Sequence, residues 1–322
     1  MPQVMIFMKS LITNLSPGTI IRGKWHQKNY EIIKRLGHGA IGVVYLAKNN
    51  GQPVAIKISE QSSSITTEVN VLKAFQKVQG ANLGPSLLDV DDWVMGYEKK
   101  YSFYVMEYLQ GYDLHTFIKA KGSEWLFILI IQLLEDLERL HQAGWVFGDL
   151  KPENLIVTTR PTRLRWIDVG GTTLQGRAIK EFTEFYDRGY WGLGSRKADP
   201  AYDLFAVAMV MIQVYYPKRF ERGPEPEKTL MLKINQNKVL RKYAPCLRKA
   251  IMGEYRSSEE MREDMLRQLT IQQRPRQVTA ASRSSKSAGQ SANQSSSRWV
   301  ESIGIIIVSS IFLIIYFFFL NI

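Results

Sequence analysis

The chain of 322 residues can hold one large domain or two ordinary ones, and its 45% hydrophobic content excludes an intrinsically disordered protein. Its single cysteine, Cys246, excludes an intrachain disulfide or a thiolate metal cluster and fits a reducing compartment. The formal net charge is +12, and residues 218–298 carry 18 basic and 8 acidic side chains, so +10 of it lies there. Such a segment favours an anionic neighbour, such as lipid headgroups, nucleic acid or an acidic protein.

The N-terminal part of the chain has the pattern of a small β-rich lobe. Residues 1–27 form a lead-in, and residues 30–48 (YEIIKRLGHGAIGVVYLAK) then read as β-structure interrupted by glycines. Residues 49–51 (NNG) predict a turn, and residues 53–59 (PVAIKIS) predict the strand that follows it.

A helix, another strand and a longer helix are predicted next. The first helix covers residues 66–76, with Thr66 or Thr67 as its N-cap, because three apolar side chains fall on one helical face: Val69, Leu72 and Phe75. Residues 101–109 are strand-like. Residues 123–144 are apolar through their centre and end at a glycine, which predicts a long buried helix. A β-dominated lobe followed by a larger helical lobe belongs to the α+β class.

The C-terminal end predicts a membrane anchor. Residues 271–299 are rich in Ser, Gln and Ala and contain no acid, which favours a flexible tether. Residues 300–322 predict a transmembrane helix, because residues 302–322 carry no charge and roughly 19 residues at helical rise cover about 28 Å, close to the hydrocarbon core of a bilayer. A buried soluble helix is disfavoured, since no polar face exists. Arg283, Lys286 and Arg298 favour a cytoplasmic location for the preceding domain, as does the lack of a signal-peptide core near the N-terminus.

Three glycines, Gly37, Gly39 and Gly42, have a spacing that occurs in dinucleotide-binding folds and in phosphate-binding hairpins. A dinucleotide fold needs a helix directly after the glycines, whereas residues 43–46 (VVYL) continue as strand. The glycines are therefore predicted at a hairpin tip whose backbone N–H groups can approach phosphates, with an ordinary turn as the alternative.

The strongest motif is residues 149–154 (DLKPEN), followed by residues 168–170 (DVG). Phosphoryl transfer needs an acceptor for the substrate hydroxyl's proton, positive charge for the γ-phosphate, and oxygen ligands for Mg²⁺. With the glycines and residues 54–57 (VAIK), these motifs occur in the order found in protein kinases. Over residues 28–270 the chain resembles bacterial members of the eukaryotic-like (Hanks-type) serine/threonine protein kinases.

The resemblance implies separate catalytic roles. Asp149 would accept the proton, Lys151 would meet the γ-phosphate, and Asn154 and Asp168 would bind Mg²⁺ or Mn²⁺. A lysine two residues after the aspartate is characteristic of serine/threonine kinases. Asp203 lies in a segment that resembles the buried helix whose aspartate braces the catalytic loop, which is a structural role.

The resemblance also implies a nucleotide site. Lys57 would bind the α- and β-phosphates of ATP, and Glu68 is its candidate partner, because a lysine in a semi-buried cleft needs a carboxylate. Residues 104–111 (YVMEYLQG) resemble the hinge between kinase lobes, with Asp113 at the ribose. Glu107 and Leu109 would bind ATP through their backbone. The eleven residues implied to bind ATP are Leu36, Gly37, Gly39, Gly42, Val44, Ala55, Lys57, Glu68, Glu107, Leu109 and Asp113.

The expected architecture is a bilobal protein-kinase fold with one C-terminal transmembrane helix. Its parts are the lead-in 1–27, the kinase domain 28–270, the tether 271–299 and the span 300–322. A short cytoplasmic kinase of this arrangement is similar to small membrane kinases of Gram-positive, spore-forming bacteria. Single-pass anchoring in the cell membrane and autophosphorylation follow as expectations.

Three departures from the family pattern concern regulation. Residues 147–148 (FG) stand where many kinases have His-Arg, which puts gating by a phosphorylated loop in doubt. Val169 replaces the phenylalanine of the DFG motif, and no Ala-Pro-Glu triplet lies between Asp168 and Asp203. Thr172, Thr173 and Thr183 are candidate phosphorylation sites, with ordinary loop hydroxyls as the alternative.

Residues 218–256 form a basic segment at the end of the kinase domain. Between residues 228 and 253 the sequence contains no acid and seven basic residues, which we call the basic patch: Lys228, Lys233, Lys238, Arg241, Lys242, Arg248 and Lys249. The patch predicts binding of DNA or membrane lipid, with a solvated helix surface as the alternative.

The expected partners are ATP, protein substrates, membrane lipid, DNA and a second copy of the chain. A small-molecule kinase and a pseudokinase scaffold remain as alternative functions.

Overall fold

A computed structural model describes residues 11–39, 42–78, 83–95 and 99–273 of the chain. The predicted transmembrane helix and all but the first residues of the predicted tether lie outside these ranges. Among the described residues, no helix combines the length and apolar character needed to cross a membrane.

The small lobe is built on a six-stranded antiparallel sheet in the order β1-β2-β3-β4-β6-β5. Alternating apolar side chains bury one face of these strands against a core that contains Tyr30, Tyr45 and Phe103. The strands are β1 (Ile20–Arg22), β2 (Asn29–His38), β3 (Val43–Asn49), β4 (Gln52–Ser59), β5 (Leu87–Met95) and β6 (Lys99–Glu107). The predicted glycine segment joins β2 to β3, and the predicted turn joins β3 to β4.

The helix of the small lobe, α1 (Ser62–Lys77), begins four residues before the predicted start. Thr66 and Thr67 are therefore not N-caps, and their hydroxyls donate to the carbonyls of Ser62 and Ser63, each at 2.9 Å. The apolar face extends back to Ile65, which is 2% exposed, so an additional helical turn packs on the sheet. Predicted core residues Val69, Leu72 and Phe75 are buried.

The large lobe is mainly helical. Its centre is formed by α3 and α4, which bury leucine, isoleucine, valine and phenylalanine along most of their length. The helices are α2 (Leu114–Lys121), α3 (Glu124–Gln142), α4 (Pro200–Tyr215), α5 (Pro226–Gln236), α6 (Ala244–Ile251) and α7 (Ser258–Gln273). The short strands are β7 (Trp145–Val146), β8 (Leu155–Thr159), β9 (Thr162–Trp166) and β10 (Thr173–Leu174). β8 pairs with β9, and β7 pairs with β10.

The basic patch is less positive in the folded chain than its sequence indicates. Three of its seven cations pair with carboxylates from outside the patch: Lys228 with Glu225 (2.6 Å), Arg248 with Glu254 (2.8 Å) and Lys249 with Asp264 (2.7 Å). Lys233 lies over the rings of Tyr216 and Phe220. Lys238, Arg241 and Lys242 are exposed. Folding thus brings acids to a segment that has none between residues 228 and 253.

Candidate active site

A cavity of about 740 Å³ lies between the sheet of the small lobe and residues 147–154 of the large lobe, which we call the catalytic loop. Its lining contains ten of the eleven residues predicted to bind ATP, together with Lys151, Asn154 and Asp168. The exception is Asp113, which lies at the N-cap of α2, where its carboxylate accepts a hydrogen bond of 2.9 Å from the backbone N–H of Thr116. The carboxylate therefore satisfies a free N–H at the start of the helix.

The glycines of the β2–β3 hairpin serve two different purposes. A Cβ atom at Gly42 would lie 2.5 Å from the carbonyl oxygen of Ile58, so only glycine allows β3 and β4 to approach this closely. A Cβ atom at Gly37 would meet nothing within 4 Å. The backbone at Gly37 and Gly39 thus lines the cavity without a side chain between it and a phosphate.

Lys57 on β4 pairs with Glu68 on α1. The Lys57 Nζ atom lies 2.8 and 2.7 Å from the two carboxylate oxygens of Glu68, and the Tyr104 hydroxyl donates to Glu68 Oε2 at 2.7 Å. Lys57 Nζ also lies 3.7 Å from Asp168 Oδ1. Burial lowers the pKa of Lys57, but the charges of Asp168 and Glu68 outweigh it, so the pKa lies above its ordinary value. Lys57 is therefore a fixed cation in the cavity.

Asp149 lies at the centre of the catalytic loop. Its carboxylate accepts hydrogen bonds from Lys151 Nζ and, at 3.1 Å, from the hydroxyl of Thr183. Lys151 Nζ also donates to the Thr183 hydroxyl at 3.1 Å. Asp149 thus already holds a hydroxyl group with a cation beside it, which is the arrangement that an acceptor hydroxyl requires in phosphoryl transfer.

Asn154 and Asp168 are brought together by the backbone. The N–H of Ile167 donates to the carbonyl of Asn154 at 3.0 Å, so the residue before Asp168 is tied to the catalytic loop. The Asn154 side-chain nitrogen donates to the Asp149 carbonyl at 2.8 Å, which leaves its Oδ1 atom available to a cation. Both residues line the cavity.

This donor set fits Mg²⁺ bound together with ATP. Among the described residues, no group of three or more His, Cys, Asp or Glu side chains could hold a metal ion alone. Mg²⁺ is commonly bound through one or two protein oxygens, substrate phosphates and water, so two protein ligands suffice.

Asp203 on α4 is fully buried and holds the catalytic loop by its backbone. Its carboxylate accepts hydrogen bonds from the N–H groups of Phe147 (2.7 Å) and Gly148 (2.9 Å), and from His141 Nε2 (2.9 Å). Gly148 has φ of +83°, and a Cβ atom there would lie 2.6 Å from the carbonyl oxygen of Gly171. The backbone conformation and the close approach both require glycine, so the loop has no room for the arginine of related kinases.

Among the side chains in the site that no motif predicted, three interact with its charged groups. Tyr104 hydrogen-bonds Glu68, and its position opposite Lys57 in the β4–β6 ladder could have indicated this contact. Thr183, treated above only as a candidate phosphorylation site, contacts Asp149 and Lys151. Glu181 lines the cavity, and no sequence signal predicted it because it belongs to an irregular loop. Burial and the charge of Asp168 raise the pKa of Glu181.

The other two candidate phosphorylation sites are inaccessible in this conformation. Thr172 and Thr173 are both 0% exposed. The Thr173 hydroxyl donates to the carbonyl of Gly171. Neither hydroxyl can reach a nucleotide unless the loop rearranges.

A lysine paired with a helix glutamate, a glycine hairpin and a braced catalytic aspartate define a protein kinase. Residues 30–286 match the protein kinase domain family, and the chain belongs to this family. The two-lobed fold predicted from the sequence is thereby confirmed.

The curated relatives are similar in activity class. The serine/threonine-protein kinase YabT of Bacillus subtilis (strain 168) is 54% identical over 260 residues, which is 80% of this chain and 77% of that protein. The serine/threonine-protein kinase PknG of Mycobacterium leprae is 29% identical over 175 residues, 51% of this chain and 22% of that protein. The chain is accordingly a serine/threonine protein kinase, and the alternative of a small-molecule kinase is set aside.

A solved structure of vaccinia related kinase 3 has a TM-score of 0.58 and 16% sequence identity, and the match covers 80% of this chain and 92% of that one. At this identity the likeness bears on the fold alone.

Replacing Glu181 with glutamine is expected to lower the KM for ATP about threefold at neutral pH, because a carboxylate is removed from a partly exposed site that faces phosphates. The wild-type carboxyl becomes neutral when the pH falls through its raised pKa. The difference between variant and wild type should therefore shrink toward low pH. Steady-state kinetics against pH measures both effects.

The matched control is Glu184→Gln, which removes an exposed carboxylate from the same loop and should leave the KM for ATP unchanged. Equal KM values for wild type and Glu181→Gln across the whole pH range would contradict the prediction.

Proposed function

We propose that the chain is an ATP- and Mg²⁺-dependent kinase that transfers the γ-phosphoryl group to serine or threonine hydroxyls of proteins, including its own. We also propose that it is anchored in the cell membrane by residues 300–322 and stimulated by DNA or another polyanion. The observation that carries the catalytic part is the hydrogen bond of 3.1 Å between the Thr183 hydroxyl and the Asp149 carboxylate. A substrate hydroxyl that took this place would be held by the same carboxylate.

Each catalytic side chain has one task in this scheme. Asp149 orients the acceptor hydroxyl and accepts its proton, and Lys151 supplies positive charge beside it. Lys57 holds the nucleotide phosphates, for which its pairing with Glu68 keeps it charged and aimed. Asn154 and Asp168 would hold the metal, which when bound neutralises charge on the phosphates.

Backbone groups complete the nucleotide site. The exposed backbone of Gly37 and Gly39 lines the cavity where phosphates would bind, with the Gly39 N–H donated to the carbonyl of Gly42 at 2.9 Å. Glu107 and Leu109 line the cavity where an adenine edge would bind. The side chain of Glu107 is engaged elsewhere, since its carboxylate pairs with Arg165 at 3.1 Å. This supports a role for Glu107 through its backbone.

Replacing Asp149 with asparagine is expected to lower phosphate transfer at least about a hundredfold, since the proton acceptor is lost while size is preserved. The assay is transfer of labelled phosphate from ATP to a generic protein acceptor and to the kinase itself. ATP binding, measured by calorimetry, should persist in Asp149→Asn and be lost in Lys57→Ala. Label that is equal in wild type and Asp149→Asn would contradict the proposal.

Anchoring in the membrane is supported by the uncharged residues 302–322 and the basic residues before them. The full chain should sediment with membranes, resist extraction at high pH and dissolve in detergent. A variant that ends at residue 299 should remain in the soluble fraction. A full chain that is found in the soluble fraction would contradict the proposal. Copies held in one membrane could associate, so a homodimer stays a prediction.

Stimulation by a polyanion is supported by the exposed cations of the basic patch, three of which lie within five residues of sequence: Lys238, Arg241 and Lys242. Replacing all three with glutamine should weaken retention of duplex DNA in a gel shift and reduce the salt dependence of binding, because fewer phosphates are contacted. The control removes three exposed cations of the small lobe, Arg22, Lys34 and Lys48, and should bind as wild type does. Unchanged retention in the patch variant, or none in wild type, would exclude this mode of regulation.

A further inference from the structure

The segment that follows α4 places two arginines on aromatic rings of the activation loop, which is the stretch between Asp168 and α4. The Arg219 guanidinium lies over the ring of Tyr186, 5.5 Å from its centroid, and Arg222 lies over Tyr190 at the same distance. Arg222 also donates to the carbonyl of Tyr190. We call these four residues the arginine shelf. Stacking of this kind holds a guanidinium in place while its N–H groups stay available to a ligand.

The arginine shelf lies beside the catalytic aspartate. Tyr186 follows Thr183 by three residues, and the Thr183 hydroxyl contacts Asp149. On the other side, Arg219 Nη2 lies 3.1 Å from a carboxylate oxygen of Glu153, which belongs to the same short helix as Asn154 and lines the nucleotide cavity. The shelf is therefore connected to both segments that flank the position of an acceptor hydroxyl.

The charge at this position is positive. Arg219 and Glu153 pair with each other, so their two charges offset. The net positive charge comes from Arg222. Within the described ranges, Arg222 contacts Tyr190 but forms no ion pair with a carboxylate. Lys218 and Glu221 on the same segment are both exposed and offset each other. The side chains of Arg219 and Glu153 are 48% and 56% exposed, so an approaching peptide can reach them.

Resting on the proposed protein kinase function, we propose that the arginine shelf selects acceptor segments that carry aspartate or glutamate next to the phosphorylated serine or threonine. An arginine fork binds a carboxylate through two parallel N–H bonds, and its stacking lowers the entropy lost on binding. A basic acceptor would meet the charge of Arg222, and it would have to displace Arg219 from Glu153 to reach that carboxylate. The arginine shelf thereby defines a class of substrate, namely protein segments with acidic residues beside the phosphorylated hydroxyl.

Three synthetic peptides test this inference. Each has one central serine, which is flanked by aspartate, by lysine or by neutral residues. The wild-type chain should phosphorylate the acidic peptide with a kcat/KM about tenfold above that of the basic one, since attraction of the acidic peptide and repulsion of the basic peptide each contribute modestly and add in the ratio. The double variant Arg219→Gln and Arg222→Gln should lose this ratio, mainly through the KM for the acidic peptide.

Two further variants separate charge from structure. Arg219→Lys with Arg222→Lys keeps the charge and should recover part of the preference, which a merely structural role would not predict. Arg22→Gln removes an exposed arginine of the small lobe and should keep the wild-type ratio. A wild-type chain that phosphorylates all three peptides equally, or prefers the basic one, would overturn the proposed substrate selection by the arginine shelf. The proposed kinase function would not be affected by that result. A chain that transfers no phosphate to any peptide or protein would instead contradict the proposed function.

Discussion

The ion pair between Lys57 and Glu68 is the interaction on which the nucleotide site depends. Lys57 is 7% exposed and Glu68 is 2% exposed, so either charge alone would be costly to bury. Each makes the burial of the other tolerable, and the hydroxyl of Tyr104 completes the coordination of Glu68. The pair ties α1 to β4 in the sheet, and a helix rotated away would leave an unpaired charge behind. The ion pair therefore determines both the position of α1 and the charge of the cavity.

A second buried carboxylate has the corresponding role in the large lobe. Asp203 accepts hydrogen bonds from the backbone N–H groups of the two residues before Asp149, so α4 holds the catalytic loop in position. His141, which also contacts Asp203, hydrogen-bonds Ser258 at the start of α7. The loop, the central helix and the last described helix thus share one polar network in an otherwise apolar core. This network ties the backbone of the loop to three helices.

Most of the fold and the main site residues were predictable because they depend on local patterns. Strand alternation, the glycine hairpin, the apolar helices and the DLKPEN segment are all readable within a few residues. The start of α1 was predicted four residues too late, because Thr66 and Thr67 resemble N-cap residues although they lie inside a helix whose apolar face begins earlier. Glu181 and Thr183 were missed because they belong to a loop without periodicity, and the pairing of Lys249 with Asp264 joins residues fifteen positions apart. Contacts of that kind depend on tertiary packing, which a sequence pattern does not encode.

The close approach of Gly148 to Gly171 has a consequence for control of the enzyme. With 2.6 Å between a Cβ at Gly148 and the opposing carbonyl, no single amino-acid replacement could install a phosphate-binding arginine at this position. Two stretches of backbone would have to separate first, and one of them carries the catalytic aspartate. Position 148 therefore offers no side chain to a phosphate on the activation segment, and a contact of that kind would have to be made by another residue of the catalytic loop, such as Lys151, which contacts Thr183.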